Sequence, residues 1–193
     1  MMDEPKDNRA RLLLSATRLF ARHGYEAVGV QQIAEAAGVT KPTLYHYFGS
    51  KRGLLDALLA EGFADFFAAL DGATPYSRNL LGPLSAYANV YFAFAARGRD
   101  FYRLQLALWF APPQSEAFAA IVPYTERQQR FFEDFFARAA QDHGNMVGRQ
   151  RAYALTFLGL LNTYAALLLN DRLQPDAELT RHAVRQFMHG IFS

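Results

Sequence analysis

The 193-residue chain is long enough for one large domain or two small ones, and 51% hydrophobic with 15% aromatic residues is ample for a packed core. With no cysteine, a disulfide framework and a thiolate metal site are both excluded. The net charge of +2 does not by itself argue for nucleic acid, but it is unevenly spread. Residues 1–53 hold eight Lys/Arg against five Asp/Glu, residues 54–193 hold twelve against thirteen, and all three lysines lie in the first part. A positive N-terminal end is what phosphate binding requires, although an excess of three charges is also what chance gives.

Met1 to Asn8 is polar and charged, without a basic-plus-apolar signal segment, so the expected location is intracellular and cytoplasmic. Met1 to Lys6 reads as an arm containing Pro5, and a first helix is expected from Asp7 or Asn8 to Arg22 or His23. Leu12, Leu13, Ala16, Leu19 and Phe20 recur in it at helical spacing. Gly24 ends it, and Tyr25 is placed to pack on its last turn. Lys6, Arg9 and Arg11 near its start are either phosphate contacts or an ordinary solvated helix end. Val30 to Ala37 follows as a second helix, with Gln31 or Gln32 near the anion-favouring amides of its first turn.

Gly38 then supplies a left-handed C-terminal position. Thr40 is a good N-cap for a short third helix from about Lys41 to Tyr47, and Pro42 falls in its first turn, where its missing N–H costs little. Leu44 and Phe48 are its expected buried positions, leaving Lys41, Thr43, Tyr45, His46 and Tyr47 largely outside. A small helix with a polar, aromatic face, held across another by a Gly-containing turn, is a helix-turn-helix design for a DNA major groove. Ser50 caps a long fourth helix from Lys51 towards Leu70. Lys51 opposes that helix's dipole, a placement that a nearby phosphate would explain.

Asp71 to Asn79 is a loop by composition. Helices are expected at about Leu81 to Ala96, at Phe101 to Phe110 with Asp100 as cap, at Ser115 to Val122 before Pro123, and at Tyr124 to Gln141. After a polar loop from Asp142 to Gly148, Ala152 to Leu169 is apolar nearly all round. Its length reaches the lower range of a membrane span, but Asn162 and Thr163 sit at its middle. A subunit interface, with one side on its own core and the other on a partner, is the preferred reading. Pro175 and Asp176 start a last helix lined on one face by Leu179, Ala183, Val184, Phe187, Met188 and Ile191. No strand alternation, internal repeat or low-complexity run interrupts this pattern, so the fold class is all-α, with about nine helices.

The run Ile33-Ala34, Ala37-Gly38-Val39, Thr43-Leu44-Tyr45-His46-Tyr47-Phe48, Ser50-Lys51 and Leu54-Leu55 resembles the signature of the TetR family of bacterial regulators. It covers about the first quarter of the chain and agrees in spacing and residue type. Gly29, where the family commonly has Ser or Thr, and Pro42, where it has Gly, Ser or Ala, depart from it. The resemblance implies a three-helix DNA-binding head (1–50) on a six-helix ligand-binding and dimerisation body (51–193). It implies a homodimer held by a four-helix bundle of the last two helices, on a pseudo-palindromic double-stranded operator, released by a small molecule. It places Thr40, Lys41, Thr43, Tyr45, His46, Tyr47 and Lys51 on or beside DNA.

Physically, Thr43 suits a thymine methyl or a base edge, and the tyrosine hydroxyls and Lys51 suit phosphate oxygens. Tyr47 has the alternative of a half-buried packing role. Phe63, Phe66, Phe67, Tyr87, Tyr91, Phe94, Tyr102, Trp109, Phe131, Phe135 and Asn162 are candidates to line a cavity for an apolar or aromatic effector. An aromatic stripe at helical spacing is equally consistent with plain core. No nucleophile elbow, Gly-rich phosphate loop or HExxH motif suggests an enzyme, and no cofactor or metal is implied. The alternative function is an architectural or partner-recruiting DNA-binding protein without small-molecule control.

Overall fold

The computed structural model describes residues 4–73, 76, 78–174 and 176–190, with side chains from residue 8 onward. Expectations that rest on Lys6, the Asp7 side chain, Pro175 and Ile191 fall outside these. Among the described residues there are nine α-helices and one 3-10 turn. They run α1 (Glu4–His23), α2 (Val30–Ala36), α3 (Lys41–Phe48), α4 (Lys51–Asp71), α5 (Leu81–Arg97), α6 (Arg99–Trp109), α7 (Glu116–Asp142), the turn Gly144–Met146, α8 (Gln150–Leu169) and α9 (Ala177–His189). The all-α architecture read from the sequence is the one observed.

Three boundaries differ from expectation. Helix α1 begins at Glu4, so the segment expected as an arm is helical from there; Pro5 sits in the first turn, where its missing N–H removes no helical bond. Helix α6 begins at Arg99 and holds Asp100 within its first turn, a favourable place for a carboxylate. The two helices expected on either side of Pro123 are a single helix, α7. Its start is capped by Ser115, whose Oγ accepts from Phe118 N at 3.1 Å. Pro123 withholds one N–H from the Ala119 carbonyl but is exposed, so its ring meets solvent rather than a neighbour. Buried positions at helical spacing on both sides, Ala117, Ala120 and Ile121 before it and Gln128, Phe132, Phe135, Phe136 and Ala139 after it, sustain the helix.

The chain forms two compact units, Met1–Asp65 with Asp100–Pro123, and Phe66–Arg99 with Tyr124–Ser193. In the first, α1 packs on α2 and α3 around Leu12, Ala16, Phe20, Ile33 and Leu44, each fully buried. In the second, α5 packs on α8 and α9. An aromatic cluster fills that unit: Phe132 meets Tyr87, Phe131 and Phe157 with ring centroids 5.8, 5.3 and 5.2 Å away. The buried Tyr91 hydroxyl donates to Gln128 Oε1 at 2.8 Å, and Thr180 Oγ1 joins α9 to α5 through Asn89 Oδ1 at 2.7 Å.

Helix α8 ends in a Schellman motif, with Asp171 N bonded to Leu168 O and Arg172 N to Leu167 O, and Asp171 left-handed at φ 55°. Arg99 stabilises that end: Nη2 donates to Leu169 O at 2.6 Å and to the Asp171 carboxylate at 3.0 Å. A guanidinium at a helix C-terminus complements the dipole there. The length and mean hydropathy of α8, 20 residues at 1.6, would suit a membrane span, yet Ala154, Phe157, Leu161, Ala165, Leu168 and Leu169 are buried inside the fold. Its remaining face exposes Leu155, 47% accessible, and Leu167, 38% accessible.

Candidate functional site

The turn between α2 and α3 follows from its residues. Gly38 is left-handed at φ 65°. Its N–H bonds Glu35 O and Val39 N–H bonds Ala34 O, both at 3.0 Å, closing α2 in a Schellman motif. Thr40 then accepts from Thr43 N at 3.4 Å as the N-cap of α3, and its hydroxyl shares a 2.8 Å hydrogen bond with that of Thr43. Gly29 serves as the N-cap of α2 without a side-chain bond. Pro42 lies in the first turn of α3 without disturbing it.

Leu44 anchors α3 in the core at 0% exposure. Lys41, Pro42, Tyr45, His46 and Gly49 are exposed, at spacings that place them on one face. Thr40 is exposed at the edge; Thr43 and Tyr47 are half-buried beside that face. Phe48, expected in the core, is also half-buried, with the Arg9 guanidinium 5.6 Å from its ring centroid. Lys41 Nζ lies 5.8 Å from the Tyr45 ring centroid, and the His46 and Tyr47 rings meet edge-on at 5.4 Å. No acidic residue lies on α3. Of the other expected phosphate contacts, Arg9 ion-pairs with Glu61, Arg11 donates to Asn8 at 3.2 Å, and Gln31 donates to Glu35 at 2.7 Å.

Ser50 accepts from Gly53 N at 2.9 Å and so caps α4. Gly53 carries a signal missing from the sequence reading: a Cβ there would run into the Phe48 carbonyl oxygen, backbone that cannot swing aside. Gly53 lets α3 and α4 approach at their junction. Gly53→Ala is therefore expected to destabilise the protein by about 1–3 kcal/mol through overpacking. Urea denaturation checks this, and DNA affinity should fall with it because α3 is displaced.

The expected ligand residues divide. Tyr87 and Phe131 line a cavity of about 300 Å³ with Leu70, Asp71, Ala73, Asp134 and Arg138. Burial raises the Tyr87 phenol pKa, and the Arg138 charge partly opposes this. Asp71 also pairs with Arg127 at 3.5 Å, and Arg127 lies 3.8 Å over the Phe67 ring. Phe63, Phe66, Tyr91, Tyr102 and Phe135 are fully buried, and Phe67 nearly so. Phe94 and Asn162 are half-buried; Phe94 packs on Phe66 at 4.9 Å. Trp109 is 43% exposed and stacks on Phe118 at 5.6 Å, within the other compact unit from Tyr87 and Phe131. The tyrosine tips expected to meet a ligand are engaged internally: Tyr91 with Gln128, and Tyr102 with Gln105.

A capped short helix presenting a cationic and aromatic face, set by a left-handed glycine across a second helix, defines the helix-turn-helix class of DNA-binding proteins. A model of bacterial regulatory proteins of the tetR family matches residues 12–58. The chain is 34% identical over 191 residues to the HTH-type transcriptional activator FasR of Mycolicibacterium smegmatis, covering 98% of this chain and 85% of that one. It is 40% identical over 62 residues to the HTH-type transcriptional repressor AcnR of Corynebacterium glutamicum, about a third of each chain. The crystal structure of the transcriptional regulator FadR from Bacillus subtilis in complex with stearoyl-CoA superposes with a TM-score of 0.73 at 17% identity, over 94% of this chain and 98% of that one. The chain belongs to the TetR family of bacterial transcriptional regulators.

Proposed function

We propose that the protein is a cytoplasmic, homodimeric repressor that binds a pseudo-palindromic operator and is released by a small apolar or aromatic effector. The observation that carries this reading is the exposed face of α3, where Lys41, Tyr45 and His46 stand together with no acid on the helix. Thr40, Lys41, Thr43, Tyr45, His46, Tyr47 and Lys51 are its DNA contacts. Residues 1–50 act as the head and 51–193 as the body. The dimer forms through α8 and α9, because α8 leaves Leu155 and Leu167 uncovered in a single chain. That arrangement sets two recognition helices about 34–36 Å apart, one helical turn of DNA.

The effector enters the body, where the cavity beside Tyr87 and Phe131 combines aromatic walls with three charged side chains. Stearoyl-CoA, present in the FadR structure, is the first probe to try. The effector shifts the equilibrium only by its difference in affinity for the DNA-bound and released states. The alternative is an architectural protein without ligand control, for which no effector would change operator affinity. Activation is a second reading, favoured by the whole-length relative named as an activator. A reporter driven by the bound promoter separates the two by the sign of its response to deletion of the gene.

Tyr45→Ala tests the face directly. Tyr45 is 42% exposed, so its loss should leave thermal stability unchanged. A hydrogen bond to a charged phosphate contributes about 1.5–3 kcal/mol, and affinity for DNA upstream of the protein's own gene should fall accordingly at fixed salt. Unchanged affinity would remove Tyr45 from the interface.

A further inference from the structure

Lys51 opens α4, where a cation works against the helix dipole. A nearby phosphate would compensate for this, and the chain itself already supplies partners. Lys51 Nζ lies 4.2 Å from the Tyr25 ring centroid and donates to the Glu26 carbonyl at 3.4 Å. Tyr25 is in turn held firmly. It is 4% exposed, packs on Phe20 at 5.2 Å, and donates its hydroxyl to Glu116 Oε2 at 3.0 Å.

Glu116 is the first residue of α7, 91 positions further along the chain. Arg52, next to Lys51, closes the ring of contacts. Its Nη1 donates to the Glu116 carbonyl at 3.2 Å while its Nε donates to Asp56 at 2.8 Å. All these residues lie in one compact unit. Burial, then the bond to Glu116, raises the Tyr25 pKa far above the ordinary phenol value, so the hydroxyl stays a donor across the neutral range.

We infer that Tyr25, tethered to Glu116, is a positioning residue for DNA binding that holds the Lys51 ammonium where a backbone phosphate meets it. The inference rests on the reading of Lys51 as a phosphate contact. Tyr25 links a carboxylate to a lysine without pairing them: Glu116 bonds the hydroxyl, and Lys51 meets the ring face. The lysine charge is therefore oriented but not neutralised. An ammonium has three N–H donors and the Glu26 carbonyl takes one, so a phosphate adds to these contacts without displacing them. A lysine already ordered loses less side-chain freedom on binding. The first turn of α7 thereby sets one DNA contact.

The test uses a fluorescent duplex of about 30 base pairs and mixed sequence, because phosphate contacts are indifferent to base identity. Wild type, Tyr25→Phe, Lys51→Ala and the double variant are titrated over a range of salt. Lys51→Ala should lower the slope of log affinity against log salt by about 0.9 per bound subunit. Tyr25→Phe keeps the ring and removes the tether; it should weaken binding ~3- to 10-fold, as contacting groups couple, with part of the same slope loss. In the Lys51→Ala background, Tyr25→Phe should change neither quantity.

Wild-type binding by Tyr25→Phe, with the Lys51→Ala loss intact, overturns the inference. So does an equal weakening by Tyr25→Phe in both backgrounds, which makes Tyr25 a support of the fold alone. An unchanged slope in Lys51→Ala overturns the phosphate reading itself, and this inference with it. Should Tyr25→Phe melt early, Glu116→Ala cuts the tether from its exposed end, and the same absence of effect in the Lys51→Ala background is required of it.

Discussion

Glutamate at both Leu155 and Leu167 should convert the proposed dimer into folded monomers and abolish tight operator binding. These are the exposed leucines of α8, and Ala152, Thr156, Gly159 and Thr163 are exposed with them at helical spacing. Thr163 Oγ1 turns back to the Gly159 carbonyl at 2.8 Å, so this face offers few polar groups. In a two-fold interface each substitution enters twice, once from each subunit. Burying unpaired carboxylates costs several kcal/mol each, which should raise the dimer dissociation constant by at least ~100-fold. Sedimentation velocity reads the mass directly. Because both side chains lie outside the packed core, the helical circular dichroism should persist. A dimer that survives both substitutions would place the interface elsewhere.

Phe132→Ala should cost about 3–5 kcal/mol, the range for removing a buried phenylalanine. Phe132 is fully buried, and its ring meets those of Tyr87, Phe131 and Phe157 within 6 Å. Against a total stability of about 5–15 kcal/mol, such a loss leaves a protein near its unfolding threshold. Urea denaturation followed by circular dichroism measures it. Phe132→Leu keeps most of the volume and should cost less than about 1.5–2 kcal/mol. Equal losses for the two would mean that the cluster can collapse around the gap.

The head was legible in the sequence because its chemistry is local. Gly38 at positive φ, Thr40 bonding Thr43 and Ser50 bonding Gly53 each act within three residues of their own position. The periodic apolar positions likewise marked the helical segments, although α7 was read as two. Pro123 misled because a proline normally ends a helix, whereas here buried positions on both sides carry the helix past it.

The body was less legible. Helical spacing reports that Phe63, Phe66, Tyr91 and Phe135 face inward, but it does not tell a cavity wall from filled core. Asp71, Asp134 and Arg138 are exposed and rim the pocket beside Tyr87 and Phe131, which helical spacing alone does not single out. The tie of Tyr25 to Glu116 spans 91 residues and leaves no periodic trace.

Selection of bound sequences from a random duplex library tests the central proposal whatever bases the operator contains. Two α3 helices held by one dimer should enrich an inverted repeat whose half-sites lie one helical turn apart, and Tyr45→Ala should erode that enrichment. A library that emerges unenriched, or enriched for a single lone half-site, would contradict a dimer reading DNA through this face.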